Sequence, residues 1–381
     1  MTNPGTTADA VERAKESPMT DETTMRALEV RRDDPRVRRT VEKPLPDIGP
    51  GAVVLRVDSV GLSANNVTYA VTGEMLRYWS FFPTEQGWGR LPVWGFATVE
   101  RSRCDDLAEG QRYFGYLPLA SHLVVEPDDA RPSGFVDAAA HRVDLPAPYN
   151  AYRAVESDVL HLPDAEDAQA VLLPLYLTSF VLEDYLLDQG WFSAEQVLLT
   201  SASAKTTIGT AMLAAQRSDR PHLVGLTSSR NAAFVRGLGC YDQVVPYDDL
   251  PAIDEGTASV LVDVAGSPGT RTAVHDMLGD RLTASIAVGL SHWDAGSPGK
   301  PERGPVPHFF FAPAQVTKRV GEWGAAEYQR RLAAAWHALV DATLPWLTIE
   351  NLAGLDGASA AVDRLLDGAV RPDQGLVVRN L

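Results

Sequence analysis

A run of hydroxyl side chains and one lysine follows an apolar stretch near the middle of the chain. The stretch Val197–Thr200 is predicted as a buried strand, and a helical pattern begins at Thr207. The residues here that could hold an anion are Ser201, Ser203, Lys205, Thr206, Thr207 and Gly209. Free N–H groups and the helix dipole favour negative charge at a helix N-terminus, so these residues could cradle phosphate groups. The alternative is an ordinary strand-to-helix turn in which Thr206 or Thr207 caps the helix.

A dense set of aromatic side chains lies in the first third of the chain. The segment 78–83, Tyr-Trp-Ser-Phe-Phe-Pro, lies between Gly73 and Gly87 and is predicted as a loop. Loop aromatics beside a cleft commonly line an apolar ligand site. The predicted lining residues are Trp79, Phe81, Phe82, Trp88, Trp94, Tyr149 and Tyr152. Within the same set, Tyr78 and Tyr116 could protonate or hydrogen bond a substrate oxygen, although each alone is more often structural.

Composition excludes several classes of function. The 381 residues carry a formal net charge of −16, which argues against a surface for nucleic acid or anionic membranes. The two cysteines, Cys104 and Cys240, lack the spacing of a metal site or a disulfide framework, so a reducing cytoplasm is expected. Residues 1–24 are polar, acidic and rich in threonine and are predicted to form a disordered leader.

The elements that must position these residues change in character along the chain. Short alternating strands are predicted through the first third, over Met25–Arg31, Gly51–Val60, Val93–Glu100, Gln111–Tyr116 and Ser121–Val125. From about Ala168 helices and apolar strands alternate, which is typical of a doubly wound parallel sheet. We therefore predict an α/β protein with a β-rich domain over residues 25–165, followed by a doubly wound parallel-sheet domain.

Read in order, these segments resemble the medium-chain dehydrogenase/reductase superfamily, especially its zinc-free quinone-reductase-like branch. Pro92-Val-Trp-Gly-Phe-Ala-Thr-Val99 is similar to the family's glycine-containing segment, and Gly110–Tyr116 to its Gly-Asp-Arg-Val-Phe-Gly turn and strand. Leu173–Ser179 resembles the helix that opens the cofactor half, and Val262–Gly266 the fourth strand of that half. The resemblance covers nearly everything from Met25 onward. It implies a GroES-like catalytic domain over residues 25–165, completed by residues 321–381, and a Rossmann nucleotide-binding domain over residues 166–320.

The resemblance also assigns candidate site residues, and this chain departs from it in places. The positions of the family's zinc ligands hold no suitable Cys or His, so no metal is expected. Asn66 stands where zinc-free relatives often carry Asp, Tyr69 is one position from a frequent Tyr, and Thr178 matches a position beside the nicotinamide. The cofactor loop has lost the family's glycines except Gly209.

The end of the second Rossmann strand indicates which dinucleotide would bind. NAD-specific folds usually place Asp or Glu there, whereas Thr227-Ser-Ser-Arg-Asn231 offers hydroxyls and Arg230. Ser228 and Arg230 therefore favour the 2′-phosphate of NADPH, although Arg230 could equally be an exposed helix-start residue. Gly266 is carried over as a further cofactor-binding position.

Three functions follow as hypotheses. The first is an NADPH-dependent, zinc-independent cytoplasmic reductase of an apolar α,β-unsaturated carbonyl or quinone-like substrate. The second is an enzyme of the same fold that no longer binds a dinucleotide and acts on an aromatic or alkene substrate as a lyase or oxygenase, and the third is a non-enzymatic binding protein. By family resemblance the apolar strand Leu282–Leu290 and Phe309–Phe311 are predicted to join two copies in a homodimer.

Overall fold

The computed structural model describes residues 24–288 and 303–381. Its N-terminal part is mainly strands, because alternating apolar residues bury one face of each strand against the core. A short helix, α1 (Ala64–Val71), interrupts them after the third strand. The strands are β1 (Thr24–Arg31), β2 (Arg38–Pro44), β3 (Val53–Leu62), β4 (Trp88–Arg90), β5 (Pro92–Ser102), β6 (Arg112–Pro118), β7 (His122–Val125), β8 (Pro127–Arg131), β9 (Gly134–Asp137) and β10 (Ala151–Ala154).

From Glu166 onward helices and strands alternate, as the sequence predicts. The helices are α2 (Glu166–Asp188), α3 (Lys205–Ala215), α4 (Ala232–Gly237), α5 (Pro268–Leu278), α6 (Ala312–Trp323), α7 (Ala325–Thr343) and α8 (Gly354–Leu366). The strands are β11 (Gln196–Leu199), β12 (His222–Thr227), β13 (Gln243–Pro246), β14 (Ser259–Asp263), β15 (Leu282–Ala287), β16 (His308–Phe309), β17 (Thr348–Ala353) and β18 (Gln374–Arg379).

The strands form three sheets that confirm the predicted α/β fold class. The largest has the order β17-β18-β3-β5-β6-β10-β9-β8, with β7 also paired to β3, so the end of the chain returns to the β-rich part. A small sheet has the order β2-β1-β4. The third is parallel, with the order β13-β12-β11-β14-β15-β16, and its apolar strands are buried as in a Rossmann domain.

Helix α2 joins the β-rich part to the parallel sheet. A side-chain carbon at Gly61 on β3 would collide with the backbone of Ala170, and one at Gly209 on α3 would lie 2.5 Å from Ser179 Oγ. Because neither glycine has a side chain, α2 packs closely against both β3 and α3. By length and apolar composition α2 resembles a membrane-spanning helix. However, 72% of its most apolar stretch is buried inside the protein, as in the core helix of a globular fold.

We expect Gly209→Ala to lower the free energy of unfolding by about 1–3 kcal/mol, because the added methyl overpacks the contact between α2 and α3. The matched control is Gly321→Ala in α6, where a side-chain carbon would meet nothing within 4 Å. Removing a flexible glycine from a helix should leave stability unchanged or raise it by up to about 1 kcal/mol. Denaturant unfolding measures both variants, and equal effects would contradict the close-packing role of Gly209.

Several elements differ from the sequence prediction. Strands β2 and β17 and helices α1 and α6 were not predicted, because their short or mixed polar patterns carry weak periodicity. Strand β15 ends at Ala287 and pairs on both sides, so β16 rather than the predicted Leu282–Leu290 is the edge of the parallel sheet among described residues. Residues 289 and 290 and nearly all of the predicted leader lie outside the described residues.

Candidate functional site

Four tyrosine side chains meet in the β-rich part, and we call them the tyrosine cluster. Tyr69 comes from α1, Tyr116 from β6, and Tyr78 and Tyr149 from short turns. Ring centroids are 4.6 Å apart for Tyr69 and Tyr78, 4.7 Å for Tyr116 and Tyr149, and 5.8 Å for Tyr78 and Tyr149. Residues that were predicted separately, from different segments of the sequence, therefore form one constellation.

The hydroxyl groups of the tyrosine cluster are not equally satisfied. Tyr78 and Tyr149 share a hydrogen bond of 3.3 Å, and Trp94 Nε1 donates to the Tyr69 hydroxyl at 3.2 Å. The hydroxyl of Tyr116 is buried and has no hydrogen-bond partner among the described residues. A buried polar group without a partner costs about 1–3 kcal/mol, so such a group points to a ligand or to ordered water.

Burial keeps these phenols protonated. It raises the pKa of Tyr69, Tyr78, Tyr116 and Tyr149 above the ordinary tyrosine value, and charge repulsion from neighbouring tyrosines adds to the shift for the first three. A neutral phenol can donate a hydrogen bond or a proton. The cluster is therefore suited to stabilising negative charge on a substrate oxygen rather than to removing a proton at neutral pH.

Apolar rings enclose the tyrosine cluster and connect it to the central core. The rings of Phe81 and Phe82 lie 5.2 and 5.8 Å from that of Tyr116, and both side chains are buried. Trp94 lies 5.0 Å from Tyr116 and stacks on Phe114, which belongs to the same apolar core as α2. The predicted lining residues Phe81, Phe82, Trp94 and Tyr149 thus pack around the ring of Tyr116.

Three other predicted lining residues occupy different places. Trp79 is buried in the core of the β-rich part, against Gly73 and Gly89. Trp88 lies under the guanidinium of Arg39, at 4.1 Å. Tyr152 is also buried, and its hydroxyl donates to Tyr116 O at 2.7 Å. Trp79 and Tyr152 therefore fill the core and Trp88 packs against Arg39, so the structure does not bring these three side chains into the ring set around Tyr116.

Asn66 serves the local backbone in this structure. Its Oδ1 accepts a hydrogen bond from Ser63 N at 2.7 Å, and its Nδ2 donates to Pro92 O at 2.8 Å. These bonds complete the capping box of α1 and tie the helix to the start of β5. The amide is buried, and both its oxygen and its nitrogen are hydrogen bonded to backbone groups, so Asn66 has a structural role here.

The predicted phosphate loop forms the junction of β11 and α3. Helix α3 begins at Lys205, with Ala204 at the N-cap, and no side chain in the described part of the chain caps it. The Thr207 hydroxyl points back to Thr200 O at 3.3 Å, which differs from the predicted alternative in which a threonine caps the helix. Ser201 has a left-handed φ of 50° and donates its N–H to the Tyr247 hydroxyl at 2.7 Å.

The other polar groups near this junction differ in whether they have a hydrogen-bond partner. Ser203 Oγ accepts from Asn231 Nδ2 at 3.1 Å, which links the loop to the end of β12. Ser228 Oγ, also at that end, is buried and has no partner among the described residues. Thr206 O accepts from Ser179 Oγ at 2.8 Å, so α2 fixes the first turn of α3. Thr178, on α2, donates only to Pro174 O, at 3.4 Å.

Both predicted phosphate-binding cations contact one C-terminal segment, residues 367–374 between α8 and β18, which we call the C-terminal turn. Lys205 Nζ donates to Gln374 O at 2.7 Å and to Pro372 O at 3.2 Å. The Arg230 guanidinium donates to Gly368 O at 3.4 Å. Burial lowers the pKa of Lys205 to about 8, against a smaller opposing effect of Asp373. The C-terminal turn therefore lies against the proposed phosphate site.

A polar network that the sequence did not reveal shapes the carboxyl ends of β11 and β14. Thr200 Oγ1 donates to Asp263 Oδ1 at 3.0 Å and accepts from Val264 N at 2.8 Å. Gly266, with a φ of 63°, donates its N–H to the same carboxylate oxygen, and Arg271 pairs with the other at 3.2 Å. Asp263 is 1% exposed, so its charge is compensated inside the fold and holds the neighbouring turn at Gly266.

Metal-binding residues do not gather anywhere in the described part of the chain. No group of three or more His, Cys, Asp or Glu side chains within residues 24–288 and 303–381 has the arrangement of a metal site. Cys104 and Cys240 are both free.

Comparison with known proteins identifies one sequence family and many structures. Residues 60–371 match the family described as "Protein of unknown function (DUF2855)". No curated protein matches the sequence significantly. A quinone oxidoreductase from Coxiella burnetii is 17% identical with a TM-score of 0.56, and the alignment covers 94% of this chain and all of that one.

Two further structures are similar over almost the whole chain. A protein named for NADPH:quinone reductase activity, from Mesorhizobium loti, is 13% identical with a TM-score of 0.61, covering 95% of this chain and all of that one. CurA from Vibrio vulnificus, solved in complex with NADPH, is 13% identical with a TM-score of 0.55, covering 90% and 94% of the two chains. These likenesses confirm the fold that the resemblance predicted, a Rossmann domain beside a GroES-like domain.

Proposed function

The chain belongs to the DUF2855 family and has the quinone-oxidoreductase fold, and from this premise we propose that it is an NADPH-dependent, zinc-independent reductase. The substrate class is an apolar α,β-unsaturated carbonyl or a quinone. The observation that carries the proposal is the buried Tyr116 hydroxyl, which has no partner among the described residues, on a ring packed against those of Phe81, Phe82, Trp94 and Tyr149. A carbonyl oxygen beside this hydroxyl would satisfy it.

The junction of β11 and α3 is compatible with a dinucleotide. Helix α3 has no side-chain cap among the described residues, so its first N–H groups and its dipole are suited to a pyrophosphate. Lys205 supplies a cation beside that end, and Ser228 Oγ and Arg230 lie at the end of β12, where a 2′-phosphate would be held. Bound NADPH would supply a hydride from its nicotinamide ring, as in other reductases that use this cofactor.

The residues of the tyrosine cluster would do the proton chemistry. As a hydride adds to the β-carbon of an enone, negative charge develops on the carbonyl oxygen. The Tyr116 hydroxyl would donate a hydrogen bond to that oxygen, because burial raises the pKa of the phenol and so favours its neutral, donating form. Phe81 and Phe82 would exclude water from the oxygen, which strengthens this bond.

A homodimer and a cytoplasmic location complete the proposal. Strand β16 lies at the edge of the parallel sheet among the described residues, and the neighbouring Phe311 is 57% exposed. An edge strand with an exposed aromatic beside it is suited to pairing with a second copy. Two free cysteines without a disulfide suit a reducing compartment.

One observation favours a second candidate function. The C-terminal turn offers backbone carbonyls to both Lys205 and Arg230, so both cations of the proposed phosphate site already have protein partners. If those contacts are permanent, the fold binds no dinucleotide and the tyrosine cluster serves a lyase or oxygenase reaction.

The test is turnover of apolar acceptors by the purified protein. With NADPH and a panel of aromatic enones and naphthoquinones, we expect loss of NADPH absorbance and an equimolar amount of reduced acceptor. NADPH binding without reduction of any acceptor would contradict the reductase function, and conversion of an acceptor without NADPH would support the second candidate.

A further inference from the structure

A cavity of about 470 Å³ lies between the helices, and the proposed reaction does not use it. Its walls come from the second half of α2, the residues after α3, and helices α6 and α7. The volume is within the range of small-molecule sites. Four of its lining residues are apolar or aromatic, namely Phe180, Leu187, Trp323 and Ala334.

Four arginines line the same cavity, in a chain whose net charge is −16. The guanidinium groups of Arg319 and Arg331 lie over the ring of Trp323, at 4.8 and 4.2 Å from its centroid. Arg217 and Arg330 complete the set. Among the described residues, Glu183 and Asp184 are the only carboxylates in the lining, and Arg319 also pairs with Asp188 and Glu322 beside it.

The lining carboxylates are largely committed to these arginines. Glu183 accepts from Arg217 through both of its oxygens, with 3.0 Å for the Nη2 bond. Asp184 Oδ2 accepts from Arg319 Nε at 2.7 Å and from Gln315 at 2.5 Å. Only Asp184 Oδ1 is a lining carboxylate oxygen without a described hydrogen bond.

The guanidinium groups, in contrast, retain donors. Arg330 and Arg331 bind Glu327 through Nε, and Arg330 also through Nη2, which leaves Arg330 Nη1 and both terminal amino groups of Arg331 without a described hydrogen bond. Arg217 likewise keeps Nη1. These donors lie at the exposed side of the cavity, where the Arg330 and Arg331 side chains are 68% and 46% exposed. The hydrogen-bonding capacity that remains there is mostly that of donors, which suits a negatively charged group.

We propose that this cavity is a second ligand site for a small organic acid with an apolar body. The apolar part would lie against Phe180, Leu187 and Ala334, and the carboxylate would accept hydrogen bonds from Arg330 and Arg331. A guanidinium group matches a carboxylate in a planar, two-bond geometry, whereas a neutral ligand would leave those donors unused. The site is independent of the proposed reductase function.

Calorimetric titration of the full chain with phenylacetate tests the site. We expect binding with a Kd below about 1 mM, because a ligand of this size can reach that affinity in a matching pocket. The neutral amide phenylacetamide should bind at least about tenfold more weakly, because it lacks the negative charge. Acetate should bind at least about tenfold more weakly as well, because it lacks the aromatic ring.

Two variants locate the binding. Ala334→Trp should weaken phenylacetate binding at least about tenfold by filling the cavity, and Arg331→Met should do so by removing the free donors. The matched control is Ala360→Trp, since Ala360 is also an exposed helical alanine but does not line the cavity. No binding by the wild type, equal binding of phenylacetamide, or unchanged binding by Ala334→Trp would each overturn the proposal.

Discussion

Replacing Tyr116 by Phe should lower kcat/KM for enone reduction about 10²- to 10³-fold while leaving the fold at least as stable. The loss is that of a hydrogen-bond donor to a developing oxyanion. Stability should not fall, because the hydroxyl has no partner among the described residues and its removal relieves a buried polar group. Steady-state kinetics and denaturant unfolding of the same preparation measure both effects.

Tyr152→Phe is the matched control for that experiment. The Tyr152 hydroxyl is buried, donates to Tyr116 O at 2.7 Å and accepts from Arg142 at 3.2 Å, so its removal breaks existing bonds. We expect this variant to lose about 1–2 kcal/mol of unfolding free energy and to keep most of its activity. If Tyr116→Phe is destabilised like Tyr152→Phe and remains active, the Tyr116 hydroxyl is not the donor.

Lys205→Met should weaken NADPH binding about tenfold or more, because it removes a charge-assisted hydrogen bond to a phosphate. In the described structure Lys205 donates to two carbonyls of the C-terminal turn, so binding requires the ammonium to exchange these for phosphate oxygens. Lys43→Met, at a half-exposed lysine of the small sheet, is the control and should leave the Kd unchanged.

The same lysine predicts a pH dependence. Its pKa is lowered to about 8, so the ammonium form is present below pH 8 and is lost above it. NADPH affinity should therefore fall as the pH rises through about 8, and Lys205→Met should remove this step. A wild-type affinity that stays constant across this range would show that Lys205 does not contact the phosphates.

The sequence was sufficient to predict most of the architecture, because apolar periodicity is strong where strands and helices are buried. The order of alternating strands and helices after Ala168 identified the parallel sheet, and the quoted motifs identified the fold family. The edge of the sheet was less predictable. The prediction of one strand over Leu282–Leu290 followed a continuous apolar run. Periodicity alone does not show that a further strand, β16, pairs with β15 and forms the edge of the sheet.

The candidate site was predictable as a set of residue types but not as a geometry. Tyr69, Tyr78, Tyr116 and Tyr149 were each named from the sequence, but their convergence depends on turns whose direction no local pattern specifies. Trp79 and Tyr152 were assigned to a pocket because an aromatic residue in a loop and one in a core look the same in sequence. Contacts between distant segments, such as that of Lys205 with Pro372, likewise cannot be predicted from the local sequence.

The most direct test of the central claim is a calorimetric titration of the wild-type chain with NADPH, with NADH titrated in parallel. We predict a Kd for NADPH below about 1 mM and at least tenfold weaker binding of NADH, because Arg230 and Ser228 favour a 2′-phosphate. Absence of NADPH binding at millimolar concentration would contradict the reductase proposal. It would favour the second candidate, an enzyme of this fold that binds no dinucleotide.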